Sequence, residues 1–312
     1  MARYLVTGGA GFIGSNIVHA LVARGESVRV IDNFSTGREA NLACVMDAIE
    51  LIRGDITELE TVRRAMQGIE YVLHEAAIPS VPRSVEQPIE SDRANVLGTL
   101  HVLVAARDAK VRRLVYAASS SAYGETPTLP KVETMATDPL SPYAAQKLAG
   151  EHYLRCFYLN YGLETVSLRY FNVFGPRQDP KSHYAAVIPR FVNAYIDGVP
   201  ATIFGDGEQS RDFCFIENTV EANLLACTAP NAAGRTYNIA CGERVSLLQV
   251  IDILGDIFGG RIAPKHEPGR AGDIKHSLAD ITAARQALGY EGRVKFAEGL
   301  RRTVEWYRQQ RA

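Results

Sequence analysis

Two side chains that could exchange a proton lie four residues apart in the segment 141–147, whose sequence is SPYAAQK. On a helix, residues four apart lie on the same face, so Tyr143 and Lys147 would be neighbours. An ammonium beside a phenol favours the phenolate, and Tyr143 could therefore act as a base near neutral pH. With Ser119 upstream, this pair predicts a redox enzyme once a nucleotide-binding turn is also present.

A glycine-rich turn of this kind lies near the N-terminus. The run TGGAGFIG at positions 7–14 follows a short apolar segment and opens an apolar helical one. It can be read as G-x-G-x-x-G from Gly9 or as G-x-x-G-x-x-G from Gly8. Missing side chains let the backbone approach a pyrophosphate at a helix N-terminus, where amides and the helix dipole favour anions. The turn predicts a dinucleotide site that includes Gly8, Gly11, Phe12, Ile13 and Gly14.

An acidic residue follows at the distance that a dinucleotide site requires. Asp32 ends the second predicted strand, 32 − 14 = 18 residues beyond Gly14. A carboxylate there would bond the adenosine ribose hydroxyls and repel the extra phosphate of NADP. The sequence therefore predicts NAD as the cofactor, while the nearby Arg38 leaves NADP open.

Composition and charge are those of an ordinary globular enzyme. The 312 residues are 46% hydrophobic and 22% charged, with a net charge of −1 and no basic or acidic run. This argues against a nucleic-acid or membrane partner. The chain enters a strand directly after its first residues, so no leader is predicted and a cytoplasmic location is expected. The five cysteines and seven histidines show no metal-type spacing, and no metal is predicted.

The pattern of apolar runs predicts an α/β fold with a doubly wound parallel sheet, the Rossmann fold. The predicted strands are 4–6, 27–31, 71–73 and 114–117, and the predicted helices are 12–23, around 89–109, near 217–228 and 246–258. Prolines and glycines shorten the elements after about Gly175. We expect an NAD-binding domain over 1–175 and a smaller, mainly substrate-binding region over 176–312. Some later segments are expected to return to the first domain.

Several further motifs occur in the same order as in one known family. They are GDI at 54–56, HEAA at 74–77, NVLGT at 95–99, SSSAYG at 119–124, RYFNVFGP at 169–176 and GDGEQSRDF at 205–213. With the glycine turn and the Tyr143–Lys147 pair, they resemble the extended short-chain dehydrogenase/reductase family, and within it the nucleotide-sugar epimerases. The resemblance covers almost the whole chain. It implies NAD-dependent inversion at carbon 4 of a UDP-hexose through a 4-keto sugar.

The resemblance also implies roles for individual residues. Tyr143 would take the proton from the 4-hydroxyl, with help from Lys147, and Ser119 would hydrogen-bond the same oxygen. The remaining cofactor contacts would come from Asn33, Asp55, Ile56, Ala76, Ala77, Asn95 and Tyr170. His74 is expected to pack beside the sheet rather than to catalyse.

On the substrate side, the resemblance implies that Asn172, Arg211, Arg270 and Asp273 meet the uridine diphosphate. Guanidinium groups suit a diphosphate because they donate in a fixed fork. Two other interpretations stay open: Arg211 and Asp212 could form a surface ion pair, and Asp273 could cap a helix or turn.

The choice of reaction and sugar depends on smaller differences. Ser120 and Ser121 are expected at the substrate, where related dehydratases and decarboxylases keep acidic residues, so simple epimerisation is favoured. The segments 80–84 and 185–189, the latter including Val187, resemble the subgroup that acts on UDP-N-acetylhexosamines. Ser277 falls at a gatekeeper position where a small residue leaves room for an N-acetyl group. These features predict UDP-GlcNAc/UDP-GalNAc as substrates, alongside UDP-Glc/UDP-Gal.

Two alternatives and one assembly remain as predictions. A UDP-glucuronate 4-epimerase would share the machinery, with Arg83 meeting the sugar carboxylate. A non-catalytic NAD-binding protein could use the same fold, although such proteins usually lose the tyrosine or the lysine. The resemblance implies a homodimer through helices around 89–109 and 143–160. Its seam could use Leu97, Leu100, Val104, Leu154 and Phe157, unless these residues serve only the core.

Overall fold

The computed structural model describes residues 3–179, 187–269 and 275–311. Within these ranges the strands are β1 Tyr4–Thr7, β2 Val28–Asp32, β3 Ile49–Arg53, β4 Tyr71–His74, β5 Arg113–Ser119, β6 Glu164–Tyr170, β7 Val173–Phe174, β8 Thr202–Phe204, β9 Ser210–Arg211, β10 Cys214–Phe215, β11 Arg235–Ile239, β12 Val245–Ser246 and β13 Lys265–Glu267. Seven of them form one parallel sheet in the order β11-β6-β5-β4-β1-β2-β3. The predicted doubly wound parallel sheet is confirmed.

Helices cover both faces of this sheet. They are α1 Phe12–Ala23, α2 Leu59–Ala65, α3 Val81–Glu86, α4 Pro88–Asp92, α5 Gly98–Asp108, α6 Pro142–Tyr161, α7 Val187–Ile196, α8 Ile216–Thr228, α9 Leu247–Phe258, α10 Thr282–Leu288 and α11 Phe296–Gln309. Short 3₁₀ turns span Glu39–Asn41, Ala43–Ala48 and Ser120–Tyr123, and a π-helical turn spans Arg93–Leu97. In the part of the chain that the structure describes, no helix has both the length and the apolar content needed to cross a bilayer.

The core consists of two clusters of buried side chains, one on each face of the sheet. In β1, Tyr4 and Val6 belong to one cluster and Leu5 to the other, because successive residues of a strand point to opposite faces. Helices α1 and α8 contribute to the first cluster, and α2, α5 and α6 to the second. Strands covered on both faces are nearly continuous apolar runs, which is the pattern that the sequence shows.

One predicted helix is built differently. The stretch predicted as a single helix around 89–109 consists of α4, the π-helical turn and α5 in succession. A π turn inserts one extra residue into a helix, and such turns often occur at functional sites. Here the turn contains Asn95, whose buried side chain supports the wall of the site described below.

The C-terminal part of the chain is not separate from the sheet. Strand β11 pairs with β6 and forms the edge of the sheet. Three two-stranded sheets, β7 with β10, β9 with β12 and β8 with β13, extend the structure beyond Tyr170, the last residue of β6. The division at residues 175/176 remains a prediction.

The order of the strands determines where a ligand can enter. From the neighbouring strands β1 and β4, the sheet continues through β2 and β3 on one side and through β5 and β6 on the other. Such a reversal leaves a crevice outside the carboxyl ends of the central strands. The glycine turn follows β1, and the HEAA motif runs from the last residue of β4.

Candidate active site

A cavity of about 990 Å³ opens at the carboxyl ends of the central strands. It runs from the glycine turn and the end of β2 to the first turns of α6. Most residues predicted to bind the cofactor line it, namely Gly8, Gly11, Phe12, Ile13, Gly14, Asp32, Asn33, Asp55, Ile56, Ala76, Ala77, Tyr143, Lys147 and Tyr170. The fold therefore brings the nucleotide motif and the proton-transfer pair into one site.

The glycine turn has the shape that a pyrophosphate requires. Gly11 is the N-cap of α1 and carries no side chain that could occupy the first amides of the helix. A Cβ on Gly11 would meet one atom within 4 Å, the carbonyl oxygen of Gly8 at 3.1 Å, so the remaining space belongs to the cavity. Free amides at a helix N-terminus favour an anion, and the turn fits the diphosphate of a dinucleotide.

Gly14→Ala should weaken NAD binding about tenfold or more, because the turn cannot accept a Cβ there. The added methyl group would overlap the carbonyl oxygen of Gly8 and lie 2.9 Å from the Cα of Gly9. Calorimetric titration with NAD measures the change. Gly260→Ala is the matched control, because a Cβ at Gly260 would meet nothing within 4 Å. An affinity within twofold of the unmodified protein would contradict the assignment of the turn.

Asp32 lies at the end of β2, as predicted, and faces the cavity. Its carboxylate accepts hydrogen bonds from the backbone N–H of Ala10 at 2.8 Å and of Phe34 at 2.7 Å. It thereby orders the glycine turn in addition to any role toward the ribose. Arg38 is the residue that kept NADP as an alternative cofactor in the sequence analysis. Its guanidinium lies 3.6 Å from the carboxylate of Asp179, and both residues line the cavity.

The proton-transfer pair begins α6. The Ser141 side chain caps the helix by accepting from the N–H of Ala144, and Pro142 occupies the first helical position. Tyr143 follows in the first turn, and Lys147 lies one turn later, buried, with its Nζ donating to the carbonyl of Ala117 at 2.8 Å. The pair is thus held between α6 and the end of β5.

Burial dominates the protonation of both groups. It raises the pKa of Tyr143 to about 12, and a hydrogen bond with Ser119 opposes this only in part. Burial also lowers the pKa of Lys147 to about 8 against the carboxylates of Glu75 and Glu151. Burial thus opposes the phenolate form of Tyr143, and its action as a base near neutral pH stays a prediction that requires further positive charge in the site.

The three serines after β5 are arranged around Ser119. The Oγ of Ser119 accepts from the N–H of Ser121 at 3.2 Å and from its Oγ–H at 2.8 Å. Ser121 therefore supports the Ser119 hydroxyl, and Ser120 begins the 3₁₀ turn beside it. Substrate contacts by Ser120 and Ser121 remain predictions.

Asn95 differs from the other predicted cofactor residues because it does not line the cavity. Its side chain is buried, accepts from the N–H of Ile78 at 2.7 Å and donates to the Ile78 carbonyl at 3.2 Å. The amide also donates to Gln146 on α6 at 2.9 Å. Asn95 thus braces the segment after Ala76 and Ala77 from behind, a supporting role that a sequence motif cannot distinguish from direct contact.

Residues predicted to meet the uridine diphosphate are partly brought together. Asn172 donates to the carbonyl of Asp212 at 3.3 Å, next to Arg211. The Ser277 N–H donates to the carbonyl of Ser210 at 3.0 Å, on the other side of Arg211. Val187 is the first residue of α7. Arg270 and Asp273 lie outside the described residues.

The alternative of a surface ion pair between Arg211 and Asp212 is excluded. Asp212 is fully buried and accepts from the N–H groups of Cys241, Gly242 and Ala279. Burial raises its pKa to about 6 despite these bonds. Asp212 therefore ties three segments together, while Arg211, the last residue of β9, donates from Nη1 to the carbonyls of Ser210 and Lys275.

Glu75 and Arg177 are among the cavity-lining residues that the sequence analysis did not identify as site residues. Glu75, inside the HEAA motif, accepts from the phenol of Tyr170 at 2.8 Å. Arg177 follows the RYFNVFGP motif directly and has a left-handed backbone, φ 68°. Among the described residues, its buried Nε has no hydrogen-bond partner. The sequence signal that could have identified them was their position, because Glu75 lies in one of the motifs and Arg177 directly follows another.

The geometry agrees with a comparison against known families. A sequence model of the NAD dependent epimerase/dehydratase family matches residues 4–240, which contain the glycine turn, Ser119 and the Tyr143–Lys147 pair. The chain belongs to this family. The predictions of an NAD-dependent enzyme and of NAD as its cofactor are confirmed.

Individual members of the family are similar over their full length. The UDP-glucose 4-epimerase of Mycolicibacterium smegmatis is 39% identical over 310 residues, 98% of each chain. The structure of a UDP-N-acetylglucosamine 4-epimerase from Methanobrevibacter ruminantium M1, in complex with UDP-N-acetylmuramic acid, is 39% identical with a TM-score of 0.94 over 99% of each chain. A UDP-glucuronic acid 4-epimerase mutant from Bacillus cereus, bound to NAD and a fluorinated UDP-sugar, is 32% identical with a TM-score of 0.91 over 99% of each chain.

Proposed function

We propose that the protein is a UDP-sugar 4-epimerase that interconverts UDP-GlcNAc and UDP-GalNAc, alongside UDP-Glc and UDP-Gal. The observation that carries the proposal is the half-buried Tyr143 beside the buried Lys147, with Ser119, at one end of the dinucleotide cavity. Family relatives of equal length act on UDP-linked sugars, which supports this substrate class. The cytoplasm is the proposed location.

The residues of the chain act on the 4-hydroxyl of the sugar. Tyr143 takes the proton from this oxygen and later returns it, while Ser119 donates a hydrogen bond to the same oxygen and steadies its charge. Lys147 holds its ammonium against the Ala117 carbonyl, behind the tyrosine. When bound, NAD supplies a hydride acceptor and a positively charged ring, and that charge favours the phenolate of Tyr143. Glycine turn amides and Asp32 hold the cofactor.

The nucleotide half of the substrate must stay tightly bound while the keto sugar rotates within the site. Arg211 at β9, together with Asn172 beside it, is proposed to bind the diphosphate and uridine. Arg270 and Asp273 are proposed for the same role from the sequence motif. Because no acidic residue takes the place of Ser120 or Ser121, water loss lacks its acid and base, and epimerisation is favoured.

Ser277→Tyr should lower kcat/KM for UDP-GlcNAc by about 10- to 200-fold, because the phenol would fill the space proposed for the N-acetyl group. Ser277 is bonded through its backbone to Ser210, next to Arg211, so its side chain can change without loss of this contact. Progress curves with UDP-GlcNAc and UDP-Glc measure the effect. UDP-Glc should react at nearly the original rate and serves as the internal control.

Ser277→Ala provides the second control for the gatekeeper. It keeps the residue small and should leave turnover of both substrates within about threefold. Unchanged turnover of UDP-GlcNAc by Ser277→Tyr would overturn the gatekeeper assignment and leave the epimerase proposal intact.

The experiment that tests the proposed function is proton NMR of UDP-GlcNAc, UDP-Glc and UDP-glucuronate, each incubated with the protein and NAD. The anomeric signals distinguish the 4-epimers directly. Conversion of UDP-GlcNAc supports the proposal, and conversion of UDP-glucuronate alone would replace it. If none of the three UDP-sugars is converted, all three are excluded as substrates.

UDP-glucuronate remains the second candidate because a family member of full length acts on that sugar type. Arg83 was the residue expected to meet its carboxylate. The Arg83 guanidinium already lies 2.7 Å from the Glu90 carboxylate. This ion pair makes Arg83 a weaker partner for the carboxylate of the sugar. A non-catalytic NAD-binding protein is less well supported, since tyrosine, lysine and serine are all retained.

A homodimer through the outer faces of α5 and α6 is proposed as the assembly. Leu97 is exposed, and Leu100 and Val104 are partly buried, so these three can contribute to a seam. Leu154 and Phe157 are buried in the core and cannot. Their burial supports the alternative that these two serve only the core.

A further inference from the structure

A carboxylate without an assigned role faces the cofactor cavity. Glu75 follows His74, the last residue of β4, and lines the cavity together with Ala76, Tyr143 and Lys147. It does not belong to the glycine turn, the ribose-binding carboxylate or the proton-transfer pair. Burying part of a carboxylate costs free energy unless the group is paired or hydrogen-bonded, and such groups often lie at functional sites.

A chain of hydrogen bonds holds Glu75 in place. The Asn223 side-chain amide on α8 donates to the Tyr170 oxygen at 2.7 Å, and Tyr170 donates its single proton to Glu75 Oε1 at 2.8 Å. Two acceptors lie within reach of the Tyr170 proton, and Glu75 Oε1 is nearer than Asn223 Oδ1 at 3.1 Å, so the proton is directed to the carboxylate. The geometry suits an ionised Glu75, which can only accept.

Among the described residues, few charged groups act on Glu75. Its neighbour His74 lies between Thr7 and Thr99, and burial, aided by Lys147, lowers its pKa to about 3, so it is neutral. Burial raises the pKa of Tyr170 and of Tyr116.

In the described part of the chain, Lys147 is the cation whose charge lowers the pKa of Glu75, and the Glu75 charge in turn raises the pKa of Lys147. The Glu75 charge also raises the pKa of Tyr143, which places that charge within reach of the reacting end of the site.

The cofactor changes its own charge at this end of the cavity. The nicotinamide ring is positive in NAD and neutral in NADH, and the ring must lie beside the carbon whose oxygen Tyr143 serves. A fixed negative charge nearby favours the positive ring over the neutral one. We propose that Glu75 is a cofactor-poising residue, whose carboxylate, held by Tyr170 and Asn223, stabilises bound NAD relative to bound NADH.

This role suits an enzyme that must recover NAD in every cycle. A site that prefers NAD favours return of the hydride to the keto sugar over escape of the sugar from a reduced enzyme. The inference rests on the NAD dependence of the family and not on which sugar is the substrate. Its test therefore needs no sugar.

The test is Glu75→Gln, which keeps an acceptor for Tyr170 and removes the charge. The holoprotein is equilibrated at pH 8 with equal concentrations of NAD and NADH, desalted rapidly, and its bound nucleotides are quantified by chromatography. The ratio of bound NADH to bound NAD should rise on the order of tenfold in the variant. Glu58→Gln is the matched control, because Glu58 lines the same cavity near Asp55 and Ile56. It should leave the ratio unchanged.

The unmodified protein provides a second measurement, which holds even if the variant folds poorly. Burial raises the pKa of Glu75 to about 7, although the Tyr170 bond and Lys147 oppose this. The carboxylate is charged above this pKa, so the bound NADH-to-NAD ratio should rise as pH falls from 8 to 6. Burial lowers the pKa of Lys147 to about 8 although the Glu75 charge raises it, and in Glu75→Gln the titration of Lys147 moves to lower pH. Where the variant folds, the rise of the ratio between pH 8 and 6 should therefore be smaller in Glu75→Gln than in the unmodified protein, since of the two groups only Lys147 is left to titrate.

A ratio equal in Glu75→Gln and the unmodified protein, or a flat profile of the latter, would overturn the inference. A shifted ratio in a protein that epimerises none of the three UDP-sugars would overturn only the proposed function.

Discussion

Tyr143→Phe should lower kcat for epimerisation by about 10²- to 10⁴-fold, the range measured when a positioned acid–base group is lost. The phenylalanine ring fills the same volume but cannot accept the proton of the 4-hydroxyl. Only the hydroxyl and its hydrogen bond with Ser119 are removed, so the fold should remain intact. The loss should appear in kcat with little change in KM, because the tyrosine acts on the transition state.

Epimerisation followed by proton NMR measures this effect, and thermal unfolding and NAD content verify the protein. Tyr153→Phe is the matched control, since Tyr153 lies on the same helix α6 and is exposed to solvent. Its activity should be unchanged. If Tyr143→Phe kept more than a tenth of the original kcat, another group would have to carry the proton.

Glu151→Ala should lower the free energy of unfolding by about 3–5 kcal/mol, because it leaves a buried arginine without its partner. The Arg169 Nε lies 2.9 Å from Glu151 Oε1 and its Nη2 2.7 Å from Oε2, and both side chains are 6% exposed. The guanidinium also lies 4.6 Å from the ring centre of Tyr123. The pair joins α6, one turn after Lys147, to the strand that ends at Tyr170.

Urea unfolding followed by circular dichroism gives this free energy. Glu305→Ala is the control, because Glu305 pairs with Arg301 on the surface and should contribute about 1 kcal/mol or less. The double variant Glu151→Leu/Arg169→Met should recover part of the stability, since replacing both charges leaves none unpaired. Equal losses in Glu151→Ala and Glu305→Ala would show that the buried pair is not a tie between the helix and the sheet.

The sequence by itself determined the fold class and the nature of the cofactor. Short apolar runs alternating with helical segments, together with the glycine turn and Asp32, are local patterns, and each depends on residues close together in the chain. The helix with Tyr143 and Lys147 on one face follows from a spacing of four residues. These predictions needed no knowledge of how distant segments pack.

Only the tertiary structure decided what surrounds these residues. Asn95 and Tyr170 both lie in motifs, yet Asn95 braces the cavity wall from behind and Tyr170 faces the cavity. The raised pKa of Tyr143 and the lowered pKa of Lys147 come mainly from burial, which spacing does not reveal. The chain Asn223–Tyr170–Glu75 joins three elements far apart in sequence. Burial and long-range hydrogen bonds are properties of the packed chain, so a one-dimensional pattern cannot contain them.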